Sequence, residues 1–270
     1  MTTVREVVTP QGTARLHTDR SRHPVATLVL GHGAGGGVDA RDLVALARTL
    51  PREGVTVVRV EQPWRVAGKR IAPGPRLLDE AFVAAVDQLR IRTPLVLGGR
   101  SAGARSAART SHHLGASGCL LLSFPLHPPG RPEKSRVEEL LAVDVPALVV
   151  QGERDAMGTP EEFPGHVQMT VVPEADHGLK VPARAALTQD EALAVVSGIA
   201  SQPTGRVRSG RPPRARPART EGCWVVEVTR AERLSDRLDS RPPRGRRTRA
   251  SPRSPPPGPR PGSVRPAPAP

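Results

Sequence analysis

One stretch constrains this chain more than any other. Leu95-Val96-Leu97-Gly98 runs straight into Gly99-Arg100-Ser101-Ala102-Gly103, and small residues continue beyond it. The apolar run predicts a buried strand, and the segment after it predicts a helix pressed closely against a sheet. Between them the spacing G-x-S-x-G predicts a sharp strand-to-helix turn that strains the serine backbone and leaves no room for a Cβ on either side. Such a turn lifts the Ser101 hydroxyl above the end of the sheet and sets the N–H of Ala102 beside it. Gly, Ala and Ser are common here, so the pentapeptide alone is weak and its strand-then-helix context gives it weight. The alternative is an ordinary glycine-rich turn with a bystander serine.

The rest of the chain alternates in the same way. Residues 4–9 and 13–18 flank Pro10-Gln11-Gly12 and read as a hairpin. Apolar runs at 25–32, 55–60, 95–99, 118–124, 146–152 and 168–172 read as strands. Helices are expected after Asp39 (an N-cap with Asp42 three residues on, stopped by Gly54) and over 76–92, 102–114, 135–143 and 187–200, the last with Thr188 and Glu191 spaced as a capping box. Residues 61–75 read as a loop. Fully apolar strands separated by amphipathic helices predict a mostly parallel sheet covered on both faces, an α/β three-layer sandwich. In such sheets a site lies beyond the carboxyl ends of the strands.

Periodicity stops near residue 200. Residues 203–270 carry 17 arginines, no lysine and 5 acids, with 15 of the 31 prolines, so most of the chain's net charge of +14 belongs to this tail. We therefore divide the chain into a folded domain at 1–202 and an Arg/Pro-rich tail at 203–270 that is expected to be disordered, since it cannot offset chain entropy by apolar burial. Trp224-Val225-Val226-Glu227-Val228 is its one strand-like run. The tail's composition is also that of GC-rich sequence read out of frame, which makes a frameshifted or spurious extension an expectation. Clustered arginine predicts, at most, non-specific and salt-sensitive nucleic-acid binding. Aromatics are few and tyrosine is absent, which disfavours base-stacking platforms. Cys119 and Cys223 make no disulfide framework and suggest a reducing compartment. The N-terminus lacks an apolar leader and no run is long enough to span a membrane, so a cytoplasmic location is expected.

A serine hydroxyl needs a base, and the base needs an orienting acid. The strand at 146–152 runs into Gly152-Glu153-Arg154-Asp155, and the strand at 168–172 into Pro173-Glu174-Ala175-Asp176-His177-Gly178. Ser101, Asp155 and His177 each follow a different strand, in an order that lets all three meet at one sheet edge. Glu153 and Asp176 are rival acids; Asp176 ranks lower because neighbouring residues rarely aim side chains at each other. The alternatives are a turn-capping aspartate and a solvated loop histidine. An oxyanion hole would take N–H donors from Ala102 and from the loop His32-Gly33-Ala34-Gly35, where Ala34 is the favoured donor and Gly33 the second choice. The spacing Gly31 to Gly36 also contains G-x-G-x-x-G, but a dinucleotide site would leave the serine turn unexplained. No cofactor and no metal is expected.

Together, the loop Gly31 to Gly37, the turn Gly98 to Arg105, Phe124-Pro125-Leu126-His127-Pro128-Pro129-Gly130, Gln151-Gly152-Glu153-Arg154-Asp155 and Asp176-His177-Gly178 resemble an α/β-hydrolase. The branch resembled is the dienelactone-hydrolase-like one that includes the testis-expressed and NSL-complex hydrolase-domain proteins, over roughly residues 20–200. The resemblance implies hydrolysis of a carboxylic ester or related acyl bond, although dienelactone hydrolase itself uses a cysteine where this chain has Ser101. About 20 residues between Phe124 and Pro146 leave little or no lid and predict a shallow site for a small substrate. Arg100 and His127 are expected near that substrate, with a salt-bridged surface arginine as the competing reading for Arg100. A hydrolase fold acting as an interaction module is the alternative to an enzyme.

Overall fold

The computed structural model describes residues 1–200. The tail from 203, Cys223 and the run at 224–228 lie outside the described residues.

Eight strands form one sheet in the order β1-β2-β4-β3-β5-β6-β7-β8. β1 (Thr2–Thr9) and β2 (Gly12–Asp19) make the expected hairpin, and β2 lies antiparallel to β4 (Val55–Glu61). β3 (Ala26–Gly31), β5 (Leu95–Arg100), β6 (Gly118–Leu122), β7 (Ala147–Gly152) and β8 (Met169–Val172) continue the sheet in parallel. The helices, in chain order, are α1 (Arg41–Thr49), α2 (Pro63–Val66), α3 (Pro75–Asp87), α4 (Ala102–Thr110), α5 (Val137–Leu141) and α6 (Gln189–Ala200).

Strand side chains alternate between faces, so an apolar strand builds two cores at once. Val29, Val58, Leu97, Leu121 and Val149 meet Phe82 of α3 and Ala104 and Ala107 of α4 on one face. Leu28, Leu30, Val57, Leu120 and Val150 meet Leu43 and Leu46 of α1 and Ala192 and Val196 of α6 on the other. Each fully buried leucine or valine contributes about 1.5–3 kcal/mol of transfer free energy. The result is the expected three-layer sandwich, with the loops after β3, β5, β7 and β8 gathered at one edge.

Four local expectations change. The cap of α1 is Ala40, with no side-chain hydrogen bond, and Asp42 turns inward and is fully buried. The helix expected over 76–92 ends at Asp87, where the Gln88 amide donates to the carbonyls of Ala84 (2.9 Å) and Val8 (2.8 Å) and so satisfies the helix end while tying it to β1. The helix expected over 102–114 ends at Thr110, where the Thr110 and Ser111 hydroxyls bond back to the carbonyls of Ser106 and Ala108 and compete with continuation. The loop at 61–75 contains α2, started by Pro63 at its first position. The capping box at the start of α6 forms as expected, with Thr188 N–H and Oγ1–H donating to Glu191 Oε2 and Glu191 N–H donating back to Thr188 Oγ1.

Candidate active site

β5 delivers Ser101 with φ 54° and ψ −113°, a conformation that L-residues seldom adopt. Neighbouring backbone holds it there: Ser101 N–H donates to Leu122 O (3.0 Å), and Arg105 N–H donates to Ser101 O (3.1 Å) to open α4. The glycines on either side are required by contact. A Cβ on Gly99 would lie 2.5 Å from the Gly31 carbonyl oxygen, and one on Gly103 would lie 2.2 Å from the same atom. The turn therefore packs backbone on backbone against the end of β3.

The loop after β8 brings the His177 Nε2 to 2.9 Å from Ser101 Oγ. On the ring's other side, Nδ1 lies 3.0 and 2.8 Å from Oδ1 and Oδ2 of Asp155. A carboxylate only accepts, so the ring proton sits on Nδ1 and the Nε2 lone pair faces the hydroxyl. Asp155 is fully buried, and its oxygens also accept from Met157 N–H (2.8 Å) and Gln151 Nε2 (2.9 Å). The rival acids are occupied elsewhere. Glu153 accepts from Glu174 N–H, and Asp176 caps its own loop by accepting from the N–H groups of Gly178 and Lys180.

The loop after β3 lies against the serine: a Cβ on Gly33 would stand 3.4 Å from Ser101 Cβ. The Gly33 carbonyl accepts from His32 Nδ1 (3.0 Å) and from Gly36 N–H (3.3 Å). In a trans peptide the carbonyl and the following N–H point in opposite directions, so pinning this carbonyl aims the Ala34 N–H away from the His32 ring. Gln62 N–H donates to His32 Nε2 (3.1 Å), which fixes the tautomer, and burial pushes the His32 pKa down so that the ring stays neutral. Ala34 and Ala102 line a small cleft together with Trp64 and Leu78.

Arg100 and His127, the two side chains expected near a substrate, each have protein partners. Arg100 forms the salt bridge of the competing reading: Nε lies 3.1 Å from Asp42 Oδ2, and Nη2 donates to the His177 carbonyl (2.9 Å). The His127 ring is nearly buried, with Nδ1 on the Pro128 carbonyl (2.9 Å) and Nε2 on Glu162 (2.8 Å). Those partners, the Pro128 carbonyl first and Glu162 with it, raise its pKa and leave no ring nitrogen free.

Four residues at this site escaped sequence reasoning: Asp42, Gln62, Trp64 and Gln151. Gln151 did carry a signal, a polar residue ending the apolar run Leu148-Val149-Val150. Trp64 and Gln62 sat in a segment read as a loop.

Comparison with known proteins matches residues 24–203 to the family described as alpha/beta hydrolase domain. Solved structures with the same fold include an α/β serine hydrolase without a lid from Xanthomonas campestris (20% identity, TM-score 0.55, covering 66% of this chain and 86% of that one). An α/β serine hydrolase homologue from Coxiella burnetii is 17% identical, with a TM-score of 0.59 over 73% of this chain and 96% of that one. A dienelactone hydrolase from Anabaena variabilis is also 17% identical, with a TM-score of 0.56 over 74% of this chain and 95% of that one. At these identities the likeness establishes a shared fold, and the family match, which takes in most of the chain, establishes kinship: the chain belongs to the alpha/beta hydrolase domain family.

Proposed function

We propose that this protein is a serine hydrolase that cleaves a carboxylic ester or related acyl bond of a small substrate. The observation that carries the reading is the continuous contact from Ser101 Oγ through the His177 ring to the buried Asp155.

His177 Nε2 takes the hydroxyl proton as Ser101 Oγ attacks the carbonyl carbon. The developing oxyanion accepts from the N–H groups of Ala34 and Ala102, donors oriented before the reaction starts. Asp155 keeps the ring proton on Nδ1 and stabilises the imidazolium. His177 then gives the proton to the leaving alcohol, and the acyl group stays on Ser101. A water molecule, deprotonated by His177, attacks the acyl-enzyme and releases the carboxylic acid, restoring Ser101.

The small substrate follows from the connection between β6 and β7, where residues 123–146 supply only a short turn and α5. The sequence motifs favour the testis-expressed and NSL-complex type of branch within the family. Among the described residues no helix is long and apolar enough to cross a membrane. Cys119, a buried free thiol, supports a reducing, cytoplasmic setting. Hydrolysis of p-nitrophenyl acetate and butyrate by wild type, Ser101→Ala and His177→Ala protein tests the reading. Turnover by wild type that both substitutions abolish is expected; turnover that survives Ser101→Ala contradicts it.

A further inference from the structure

Among the described residues, His127 is the one histidine with both ring nitrogens on atoms that can only accept. Nδ1 lies 2.9 Å from the Pro128 carbonyl oxygen, and Nε2 lies 2.8 Å from Glu162 Oε2. A carbonyl and a carboxylate have no proton to give, so the two bonds need both ring protons. The ring is therefore an imidazolium. His32 differs, because its Nε2 accepts from Gln62 N–H, and so does His177, whose Nε2 faces a hydroxyl. Glu162 stays a carboxylate: the Thr159 N–H first, with His127 beside it, holds its pKa below the usual 4.5. The charged groups that face the His127 ring are Glu162, from the crossover between β7 and β8, and Arg136, whose N–H donates to Leu126 O (2.7 Å) just before α5. The Pro128 carbonyl, then Glu162, favours the charged ring against burial and the Arg136 charge.

Glu162 closes a strap that begins at Asp155. Met157 N–H donates to Asp155 Oδ1 (2.8 Å), and Gly158 N–H donates to the Asp155 carbonyl (3.1 Å). The Gly158 carbonyl accepts from Gln151 Nε2 (2.8 Å), which also donates to Asp155 Oδ2 (2.9 Å). Thr159 N–H donates to Glu162 Oε1 (2.8 Å). His127 grips this strap twice, by its ring at Glu162 and by its N–H at the Met157 carbonyl (3.1 Å). The two segments meet closely, since a Cβ on Gly158 would lie 2.7 Å from Leu126 Cβ. Both Asp155 oxygens are thus set by the strap, directly or through Gln151, and one charged ring holds its far end.

We propose that His127 is a positioning residue: as an imidazolium it clasps the strap that aligns Asp155 with His177, and its deprotonation releases the clasp. A neutral ring has one proton to share. A lone pair then faces either the Pro128 oxygen or the Glu162 carboxylate, and the ion pair is gone. The proposal rests on the serine-hydrolase reading for what Asp155 does, and one of its readouts needs no catalysis.

The test follows wild type, Glu162→Gln and His127→Phe protein from about pH 6 to about pH 9, the range in which imidazoles titrate. Proton NMR of the histidine ring C–H groups, with His127→Phe assigning the signal, is expected to show His127 losing its proton above the usual 6.5. Over that rise, wild-type kcat for p-nitrophenyl butyrate is expected to fall about 10- to 100-fold with KM changing less than about 3-fold, the pattern of a misaligned reacting centre. The far-downfield proton signal of His177 Nδ1–H, held on Asp155, is expected to broaden and disappear in step. In Glu162→Gln the amide oxygen keeps the Thr159 N–H and the amide N–H donates to the neutral ring, so the clasp holds uncharged. That variant is expected to keep kcat within about 3-fold of wild type at neutral pH and to lose the alkaline fall. His127→Phe is expected to show the low kcat at every pH. Titration of His127 at or below 6.5, a wild-type kcat that is flat on the alkaline side, an alkaline fall that Glu162→Gln retains, or a folded His127→Phe with wild-type kcat overturns the proposal. So does a set of variants that changes melting temperature alone. A wild type that hydrolyses nothing, with the His177 signal still following the charge of His127, overturns the hydrolase reading and leaves the clasp standing. The same inactivity with a signal indifferent to His127 overturns both.

Discussion

Arg100 Nε lies 3.1 Å from Oδ2 of Asp42, a carboxylate with no exposed surface, so the residue beside the candidate nucleophile is anchored in the layer formed by α1. The same guanidinium donates to the His177 carbonyl through Nη2 (2.9 Å). One side chain thus ties the serine turn to the histidine loop. Burial raises the Asp42 pKa and the Arg100 charge opposes that rise, so removing the arginine leaves a buried acid with its opposing charge gone. Arg100→Ala is expected to cost about 3 kcal/mol or more in urea unfolding, the scale for breaking one side of a buried pair. A change below about 0.5 kcal/mol, the scale of an ordinary surface substitution, contradicts this account.

The serine turn depends on close backbone approach. Gly103→Ala would put a Cβ 2.2 Å from the Gly31 oxygen and 2.3 Å from its carbonyl carbon, with no flexible side chain to move aside. Thermal melting should show a large loss of stability or no folded protein. Gly165→Ala, where no atom lies within 4 Å, is the matched control and should melt within a few degrees of wild type.

The three residues of the proposed proton path were legible because each follows an apolar run ended by a tight turn, and that local pattern encodes both strand and loop. What stayed hidden depends on pairing across the chain. Asp42 read as part of a helix cap because nothing near it in sequence announces Arg100. His127 read as a site residue because its proline-rich segment follows a strand, and nothing near it in sequence announces its ring's partner Glu162, from the next crossover. Gln62 and Trp64 were passed over because proline and glycine nearby mask a one-turn helix whose cap residue Gln62 finds its partners far along the chain, at His32 after β3 and Leu78 of α3.

Under the proposed function, Gln151 positions the acid Asp155. Its Nε2 donates to Asp155 Oδ2 (2.9 Å) and to the Gly158 carbonyl (2.8 Å), holding the carboxylate under the histidine. Gln151→Met keeps the volume and removes the donor. It is expected to lower kcat for p-nitrophenyl butyrate about 10- to 100-fold with a small change in KM, the effect of loosened alignment at a reacting centre. An unchanged kcat contradicts the assignment.

Glu139 predicts an acid-side stability effect. Burial pushes its pKa up, but Arg105 and Arg109 outweigh that and hold it below the usual 4.5. A carboxylate whose pKa is depressed by folding stabilises the protein above its unfolded value and loses that contribution as pH falls through its folded value. Melting temperature measured from pH 7 to pH 3 should fall more steeply below about 4.5 in wild type than in Glu139→Gln. Parallel curves contradict this.

Cys119 should be inert in the folded protein, since burial raises its pKa to about 12. In a Cys223→Ser background, reaction with a thiol-specific disulfide reagent is expected only after unfolding. Fast labelling of native protein contradicts the burial.

The most direct measurement is intact-protein mass after treatment with a fluorophosphonate, followed by peptide mapping. The proposed chemistry predicts one covalent adduct, located on Ser101, absent from Ser101→Ala and strongly slowed in His177→Ala and Asp155→Ala. An unmodified wild-type protein, or an adduct that persists in Ser101→Ala, contradicts it.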